Sequence, residues 1–449
     1  MRTHALGHTL ATVLTATAAL LAVAHAQQAP PPEPPAVTAA DRAAIVEDLL
    51  KGLAETYVFP DVAEKMSRHL RERLSAGAYD GTATLRDFCE RLTEDLQSIS
   101  HDKHLRVFWA PRRPDEGESE AAAKERRARE LAEMERENFC FEKLERLPGN
   151  IGYLKFNCFA SADVAGATAV AAMNFLGHSD ALIFDLRDNG GGDPTMIQLI
   201  TSYLLAEPKH LNSFYIRKSG ATDQFWSHAY VAGPRLPDAP VFVLTSSRTF
   251  SGAEEFCYNL KNLKRGTIVG ETTGGGAHPV EAYRVKNYPV VATLPFGRAI
   301  NPISGTNWEG TGVAPDIAVP AAAALDTAHV KALEALAERA GDEEGKRALV
   351  WLREGLQATL APFAMSDAAL LAYVGDYGPR RVTLENGVLY YQREGRPRFR
   401  LVPMADALFV APDLDYFRVG FERDAKGKVV RIVGTYDDGR RDTNDRTAP

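Results

Sequence analysis

The spacing of hydrophobic residues changes twice along the chain, and each change marks a different predicted architecture. Over residues 40–97, apolar side chains recur every three or four positions, as in Ile45 and Leu49, which predicts amphipathic helices. From Ile151, short apolar runs alternate with helical patterns, and beyond residue 363 apolar and aromatic positions alternate with polar ones. We therefore expect an N-terminal helical domain, an α/β core and a C-terminal all-β domain.

The predicted core alternates apolar runs with helical stretches, which is typical of a sheet covered by helices. Ligands of such open sheets usually bind at the carboxyl ends of strands. The predicted strands are residues 105–109, 151–156, 181–186, 241–244, 267–270 and 290–294, and the predicted helices are residues 163–176, 195–205, 330–339 and 346–360. Three hairpin-forming pairs support the β domain: Asn386-Gly387, Lys426-Gly427 and Asp438-Gly439.

The N-terminus has the pattern of a secretory signal peptide. Arg2 is followed by an apolar stretch over residues 10–23 and by the small-x-small sequence Ala24-His25-Ala26. We expect cleavage there and an exported protein, periplasmic or extracellular, with no membrane segment afterwards; an uncleaved anchor is the alternative. A Pro-rich segment over residues 30–35 suits an exposed linker.

A charged segment separates the helical domain from the core. Residues 112–146 are dominated by Glu, Arg, Lys and Ala, which predicts a solvated helix; a lid over the substrate is the alternative. Together these patterns divide the chain into seven parts. They are a signal peptide (1–26), a Pro-rich linker (27–39), an N-terminal helical domain (40–110), a charged helical insertion (111–147), the α/β core (148–325), a helical connector (326–362) and a C-terminal β domain (363–449).

Charge and cysteine content narrow the classes of partner. The formal net charge of -7 favours neither a nucleic acid nor an anionic membrane surface. The four cysteines lack C-x-x-C spacing, so we expect buried free thiols rather than a metal site. The alternative is that the cysteines form up to two disulfides, whose pairing the sequence does not indicate.

A serine stands where a strand is predicted to turn into a helix. The apolar run over residues 241–244 is followed by Thr249-Phe250-Ser251-Gly252, so the Ser251 hydroxyl would lie at a helix N-terminus. Free amides at that end stabilise the negative charge that develops in acyl transfer. Glu254, three residues later, also completes an ordinary capping box, so a purely structural role for Ser251 is the alternative.

A glycine-rich turn follows the predicted strand that ends near Asp185. The glycines at 190–192 let backbone N–H groups approach a ligand oxygen, so the turn could supply an oxyanion donor. A phosphate cradle is the alternative, but no Gly-Lys-Ser/Thr sequence follows the turn, and Asp188 and Asp193 would repel phosphate.

A serine nucleophile needs a base, and three histidines are candidates. They are His101 and His104, where a helix is predicted to give way to a strand, and His278, after a run of glycines. For each alone, a packing or surface role is the alternative. His101 and His104 could instead bind a metal, but no third ligand has metal-site spacing, so we expect neither a metal nor a cofactor.

Five motifs in a fixed order resemble the family of tail-specific, or C-terminal processing, serine peptidases. Within it, the similarity is greatest to the branch of the tricorn protease core and the interphotoreceptor retinoid-binding protein modules. The motifs are Asp102-Lys103-His104, the segments 185–192, 245–251 and 268–276, and Gly312-Val313-Ala314-Pro315-Asp316, all within residues 40–320. The resemblance implies a ClpP/crotonase-like core, Ser251 as nucleophile, and an oxyanion hole formed by the amides of Gly252 and Gly191.

The resemblance also bears on the base. In the Ser/Lys branch a lysine stands where this chain has Gly276, so the resemblance favours a histidine base instead. His104 matches the tricorn-like histidine, and Glu309 matches that branch's carboxylate. Because Lys103 replaces the serine that precedes the histidine in tricorn-like sites, either Glu309 or Asp102 could orient His104.

The function implied is an exported serine peptidase that hydrolyses peptide bonds through an acyl-enzyme on Ser251, with His104 as general base. The partner expected is a peptide or protein substrate. The alternative is a catalytically silent module that binds apolar ligands such as retinoids or fatty acids. The hypothesis of an esterase has less support, because Ser251 lacks the Gly-x-Ser-x-Gly elbow. The chain shows no PDZ pattern. Physiological substrate, cleavage preference and self-assembly into a homo-oligomer stay open.

Overall fold

The computed structural model describes residues 33–111 and 119–447. The predicted signal peptide and its cleavage site, residues 30–32 of the Pro-rich segment, and residues 112–118 of the charged segment lie outside the described residues. No helix in the described ranges is long and apolar enough to cross a membrane.

The N-terminal region is built from three helices that share one apolar core. Thr38 and Thr84 begin the first and third helices with capping boxes, as local sequence predicts. The elements are α1 (Ala39–Thr56), α2 (Pro60–Ser75), α3 (Leu85–Ser100) and the following strand β1 (Arg106–Trp109). Residues 35–37, which we placed in an exposed linker, pack here instead: Val37 is buried, and Leu85 N–H donates to Pro35 O at 2.8 Å.

The core sheet has six strands in the order β12-β8-β7-β4-β3-β2. All neighbouring strands are parallel except the edge pair β2 and β3. The strands are β2 (Phe141–Leu147), β3 (Ile151–Phe156), β4 (Ala181–Asp185), β7 (Val241–Thr245), β8 (Thr267–Gly270) and β12 (Ile317–Ala318). Every residue of β4 and β7 is buried, because helices cover both faces of the sheet.

Residues 141–147 form strand β2, whereas we assigned them to the charged insertion. Within the described part of that insertion, only α4 (Glu120–Arg136) is a solvated helix, and none of its residues is buried. Its charged composition hid the strand pattern from sequence analysis, since four of its seven residues are Glu, Lys or Arg. An edge strand tolerates such charge because one of its sides faces solvent.

Five helices cover the core sheet. Three pack on one face, namely α5 (Ala162–Phe175), α6 (Pro194–Tyr203) and α7 (Gly252–Asn262). On the opposite face, α8 (Ala324–Arg339) packs directly on the sheet, and α9 (Glu343–Leu360) packs behind it. This arrangement confirms the predicted α/β core.

Two small sheets flank the core. One has the order β11-β5-β6, from β5 (His210–Ile216), β6 (Thr222–Trp226) and β11 (Gly297–Ile300). The other has the order β1-β10-β9, where β9 (Val280–Arg284) and β10 (Val290–Pro295) form a hairpin. Arg106 in β1 faces Thr293 in β10, and Ala292 and Leu294 are buried among the N-terminal helices. The hairpin therefore joins the helical region to the core.

The C-terminal region is an antiparallel sheet whose eight strands pair in sequence order. It begins with α10 (Asp367–Leu371) and continues through β13 (Gly375–Tyr377), β14 (Arg380–Glu385), β15 (Val388–Arg393), β16 (Arg398–Ala405), β17 (Leu408–Val410), β18 (Phe417–Arg423), β19 (Val429–Tyr436) and β20 (Arg441–Asp445). The three predicted turn pairs each connect two successive strands, so the β domain and its hairpins are confirmed.

The cysteines depart from our expectation of free thiols. Cys140 and Cys158 form a disulfide with a Cα–Cα distance of 5.5 Å, whereas Cys89 and Cys257 are free and buried. The expectation was wrong for the first two because the chain brings the start of β2 next to the end of β3, a contact that local sequence does not show.

Candidate active site

Ser251 lies between the end of β7 and the first residue of α7, as predicted. Its backbone φ is 52°, in the left-handed region that few residues with a side chain adopt. Such strain persists where the surrounding structure enforces it, often at functional sites. Among the described residues, the N–H of Gly252 donates no hydrogen bond, so it is available at the helix N-terminus beside Ser251.

Glu254 does more than cap α7. Its fully buried carboxylate accepts the Ser251 N–H at 2.9 Å, and it also accepts the N–H groups of Gly275 and Gly276 and the hydroxyl of Thr273. Burial raises the pKa of this carboxyl group, although the hydrogen bonds lower it. One side chain thus holds the serine turn and the glycine loop after β8 together.

The glycine turn packs directly on Ser251. A Cβ atom on Gly191 would lie 2.7 Å from the Ser251 Cβ, so only glycine fits, and the φ of Gly191 is 104°. The Gly191 N–H, however, donates to Asn189 Oδ1 at 2.9 Å. The amide of Gly192 donates no hydrogen bond within the described residues and lies beside Gly252. Of the two neighbouring amides, that of Gly191, which we predicted as an oxyanion donor, is therefore engaged, whereas that of Gly192 is free within the described residues.

His104 reaches the site from the helical region. Its ring lies against that of Phe250, the residue before Ser251, with the ring centroids 4.7 Å apart. Burial lowers the pKa of His104 to about 4, although the negative charge of Asp102 acts to raise it. The ring is therefore neutral near pH 7 and able to accept a proton. In the part of the chain that the structure describes, His104 makes no hydrogen bond to Ser251, and its Nδ1 is buried without a partner.

The two other candidate histidines lie elsewhere. His101 is the exposed C-cap of α3, with a left-handed backbone, and does not enter the site. His278 is buried, and its Nδ1 lies 2.6 Å from Asp102 Oδ2. Lys103, which replaces a serine in the resembling family, donates from Nζ to Gly274 O at 2.5 Å and so ties the His104 loop to the glycine loop.

Glu309 stands beside His104. A carboxylate oxygen of Asp102, a ring nitrogen of His104 and a carboxylate oxygen of Glu309 all lie within 4.8 Å of one another. Glu309 Oε2 accepts the Ala277 N–H at 2.6 Å, whereas its Oε1 is buried without a partner among the described residues. Burial, reinforced by the charge of Asp102, raises the pKa of Glu309 to about 7.

The same three side chains are close enough to ligate a metal ion, although we expected no metal. Asp102 is already engaged through both of its oxygens: Oδ1 accepts the His104 backbone N–H at 3.0 Å, and Oδ2 faces His278. A metal would have to displace these bonds. The arrangement suits proton transfer by an oriented imidazole without that cost.

Gly276 leaves no room for a side chain where the Ser/Lys branch is expected to carry its lysine. A Cβ atom there would lie 2.7 Å from His104 Cε1 and would overlap the ring of Phe250. The two rings fill the space through which a side chain at 276 would extend. The loop thus leaves room for His104 only if residue 276 is glycine.

Comparisons with known families agree with this geometry. The model of peptidase family S41 matches residues 150–319, and a model described as the N-terminal domain of peptidase S41 in eukaryotic IRBP matches residues 38–144. The two matches together span more than half of the chain. The chain belongs to peptidase family S41. It is a serine-type peptidase, and its substrates are peptides or proteins.

Solved structures similar to this S41 peptidase share low sequence identity with it. A putative peptidase from Parabacteroides merdae is 19% identical, with a TM-score of 0.44 over 62% of this chain and 90% of that one. The photosystem II D1 C-terminal processing protease is 16% identical, with a TM-score of 0.40 over 64% and 94% of the two chains. Tricorn protease is 15% identical, with a TM-score of 0.41 over 71% and 37%.

Sequence reasoning missed two residues of this peptidase's site. Asn189 is fully buried and shapes the glycine turn, since its Nδ2 donates to Phe156 O at 2.9 Å and its Oδ1 accepts from Gly191. Glu254 was recognised only as a cap. An amide directly before three glycines is a local signal that could have indicated Asn189, whereas the partners of Glu254 in the glycine loop lie 19 to 22 residues away.

Proposed function

We propose that this S41 peptidase is exported and cleaves peptide bonds through an acyl-enzyme on Ser251, with His104 as general base. The observation that carries the proposal is the convergence of three distant segments: Ser251 at a strained helix N-terminus, the glycine turn packed on it, and the neutral, half-buried ring of His104 beside Phe250. His104 Nε2 would accept the Ser251 proton as Oγ attacks the carbonyl carbon, and would then protonate the leaving amine.

The carboxylate that orients His104 is, on this proposal, Glu309. Both oxygens of Asp102 already have partners, whereas Glu309 Oε1 and His104 Nδ1 are each buried without one. A hydrogen bond between these two atoms would satisfy both and stabilise the imidazolium that forms during attack. Catalytic hydrogen bonds are often long before substrate binds, so a small closure of the loops would complete the pair.

The oxyanion would be held by the amide of Gly252 and by that of Gly192 in the glycine turn. Both N–H groups are free of partners in the described ranges; Gly252 directly follows Ser251 in the chain, and Gly192 packs against Gly252. The positive end of the α7 dipole reinforces Gly252. Gly191 would take part only after releasing Asn189.

The test uses the purified mature protein, a fluorophosphonate probe and a peptide mixture. We expect the wild type to be labelled on Ser251 and to cleave peptides, and Ser251→Ala and His104→Ala to do neither. Wild-type protein that is neither labelled nor more active than Ser251→Ala would refute the peptidase mechanism and would favour the apolar-ligand module, which a fluorescent fatty-acid titration would detect.

Export is supported by the sequence of the N-terminus and by the Cys140–Cys158 disulfide, since disulfides persist mainly in oxidising compartments. N-terminal sequencing of the protein recovered from the periplasm or medium should begin at Gln27. Protein that keeps residues 1–26 and sediments with membranes would support the anchored alternative.

A further inference from the structure

A second imidazole–carboxylate pair lies directly behind the proposed catalytic histidine. His278 Nδ1 and Asp102 Oδ2 are 2.6 Å apart, and their side chains are 6% and 1% exposed. Because a carboxylate can only accept, the His278 Nδ1–H is the donor. Phe59 packs edge-on against the His278 ring, with the ring centroids 5.5 Å apart. The pair is therefore enclosed and fixed.

Asp102 connects this pair to His104. Its other oxygen, Oδ1, accepts the backbone N–H of His104 at 3.0 Å, and the Tyr57 hydroxyl lies 3.5 Å from Oδ2. The carboxylate thus supports the main chain of His104 while its second oxygen is held by His278. Without His278, the Asp102 carboxylate would be free to turn towards the His104 ring, since one of its oxygens lies within 4.8 Å of a nitrogen of that ring.

We propose that His278 is a positioning residue of the peptidase: by holding Asp102, it fixes the main chain of His104 and reserves Glu309 as the carboxylate for the His104 ring. The inference rests on the proposed roles of Ser251 and His104. Glu309 Oε2 lies 3.6 Å from His278 Nδ1, so His278 touches both competing acids and separates their functions.

The charges around these groups give the proposal a readout besides activity. Glu309 is faced by Asp102, which raises its pKa, and by His278, which lowers it; the charge of Glu309 also acts on Tyr57. His104 is faced by Asp102, which raises its pKa, and by His278 and Arg106, which lower it. Removing the imidazole at 278 should therefore raise the pKa of both Glu309 and His104. The acidic limb of kcat against pH should move to higher pH, whichever of the two groups it reports.

The decisive comparison is between His278→Asn and His278→Gln. The amide nitrogen of Asn lies near the position of the imidazole Nδ1 and can still donate to Asp102, whereas that of Gln extends to the position of Nε2. Neither can carry a charge. We expect His278→Gln to have a kcat about tenfold or more below that of His278→Asn, with KM within about threefold of wild type for both. We also expect the acidic limb of both variants to lie above that of wild type.

His329→Gln is the matched control, since His329 is also buried and hydrogen-bonded, to Pro148 O, but lies on α8 away from these acids. It should leave the pH profile unchanged. Equal kcat for the two His278 variants, or an acidic limb that does not move in either, would overturn the inference while Ser251→Ala remains inactive. If instead Ser251→Ala retains the full activity of wild type, the proposed mechanism itself fails. Both His278 variants are polar and close in size to histidine, and thermal melts will show whether they are folded at the assay temperature.

Discussion

At the scale of single residues, Gly276 limits the space around the ring of His104, the proposed base. The loop after β8 passes so close to the rings of His104 and Phe250 that even a methyl group at 276 would press on both. The same loop is held from the other side by Glu254, through the Gly275 and Gly276 amides. The loop therefore cannot move away without breaking buried hydrogen bonds, and the ring of His104 would have to move instead.

Gly276→Ala is therefore expected to lower kcat more than KM. A Cβ atom 2.7 Å from His104 Cε1 displaces the imidazole, and a displacement of about 1 Å costs on the order of 100-fold in rate. Steady-state kinetics on a fluorogenic peptide would measure it. The control is Gly341→Ala, where a Cβ meets no atom within 4 Å. A Gly276→Ala enzyme with wild-type kcat would show that the His104 ring is not confined as described.

At pH 8, Glu309→Gln should raise the melting temperature of the protein and lower its kcat. The folded protein raises the pKa of Glu309 from 4.5 to about 7, so it binds this proton more tightly than the unfolded chain does. The resulting stabilisation is complete below about pH 4.5 and is lost as pH rises to about 7, above which the buried charge is a cost. Glutamine removes that cost, so the variant should melt at a higher temperature than wild type at pH 8 but not at pH 4.5.

The same variant should lose about 100-fold in kcat at pH 8, because an amide orients and stabilises the His104 imidazolium less well than a carboxylate. Thermal melts and kinetics at the two pH values measure both effects. Glu64→Gln, on an exposed glutamate of α2, is the control for charge alone. A Glu309→Gln protein that is less stable than wild type at pH 8, or fully active there, contradicts the assignment.

The position of Ser251 at the start of α7 and the glycine turn after β4 could be predicted because each belongs to a short contiguous motif. His104 was distinguished from the two other histidines only by the resemblance to a family. The further role of Glu254 could not be predicted, since its partners at 273, 275 and 276 come from another loop. Which amide of the glycine turn is free of a partner could not be predicted either. It depends on which way one amide points, and the Asn189 side chain decides that direction.

At the scale of elements, the segment after β3 supports the glycine turn. Phe159 N–H donates to Gly191 O at 2.8 Å, and Asp193 N–H donates to Phe159 O at 2.7 Å, so the segment pairs with the turn like a short strand. Cys158, in the middle of this segment, is bonded to Cys140 at the start of β2. Residues 138–140 all have left-handed backbones, which the disulfide helps to hold.

Reduction of this disulfide is expected to lower both stability and kcat. The cysteines are 18 residues apart, and closing a loop of that size stabilises a fold by about 3 kcal/mol in the chain-entropy model. Loosening the 157–159 segment should also let the glycine turn move away from Ser251. Thermal melts and kinetics with and without dithiothreitol would measure the two effects.

Cys140→Ser/Cys158→Ser should reproduce the reduced protein and no longer respond to dithiothreitol. Cys89→Ala/Cys257→Ala is the control that keeps the disulfide, so it should respond as wild type does, because both removed thiols are free and buried. If the kcat of the wild type is unchanged after verified reduction, the 157–159 segment holds the glycine turn without the disulfide, and the prediction is wrong.

Most helices and strands could be predicted because the spacing of apolar residues within a window reports local structure. The strand β2 could not, since charged residues at an edge hide its alternation. The Cys140–Cys158 pairing could not either, because four cysteines without recognisable spacing permit several connections. In both cases the missing information was the antiparallel pairing of β2 with β3.

At the scale of the whole molecule, the site depends on a contact between segments far apart in sequence. β1 pairs with β10, and the Thr293 hydroxyl donates to His104 O, across 189 residues. This pairing brings the helical region that carries His104 to the core that carries Ser251. Local periodicity predicted both strands but could not indicate that they are partners, so the assembly of the site was known only through the resemblance to a family.

The C-terminal β domain is attached to the core largely through α9. The Arg418 guanidinium stacks 3.7 Å from the centroid of the Trp351 ring, donates to Glu354 Oε2 at 2.9 Å and donates to Trp351 O at 2.6 Å. The Trp351 Nε1–H donates back to Asp415 O at 2.7 Å. Arg418 is buried although its partner Glu354 is partly exposed, so the planar stack and the backbone bonds, rather than the ion pair, hold the two parts together.

Arg418→Lys should therefore weaken docking even though it keeps the positive charge, because an ammonium group cannot stack as a plane and lacks the rigid fork of donors that reaches both acceptors. We expect calorimetry to resolve two unfolding transitions, with the β domain melting first, where the wild type shows one. Arg398→Lys is the matched control, since Arg398 stacks on Tyr390 within the β domain itself and is exposed. Cleavage of short peptides below the first transition should be the same in all three proteins, because Ser251, His104 and Glu309 lie outside this domain. A single transition in Arg418→Lys, shifted as a whole, would show instead that the β domain and the core unfold as one unit.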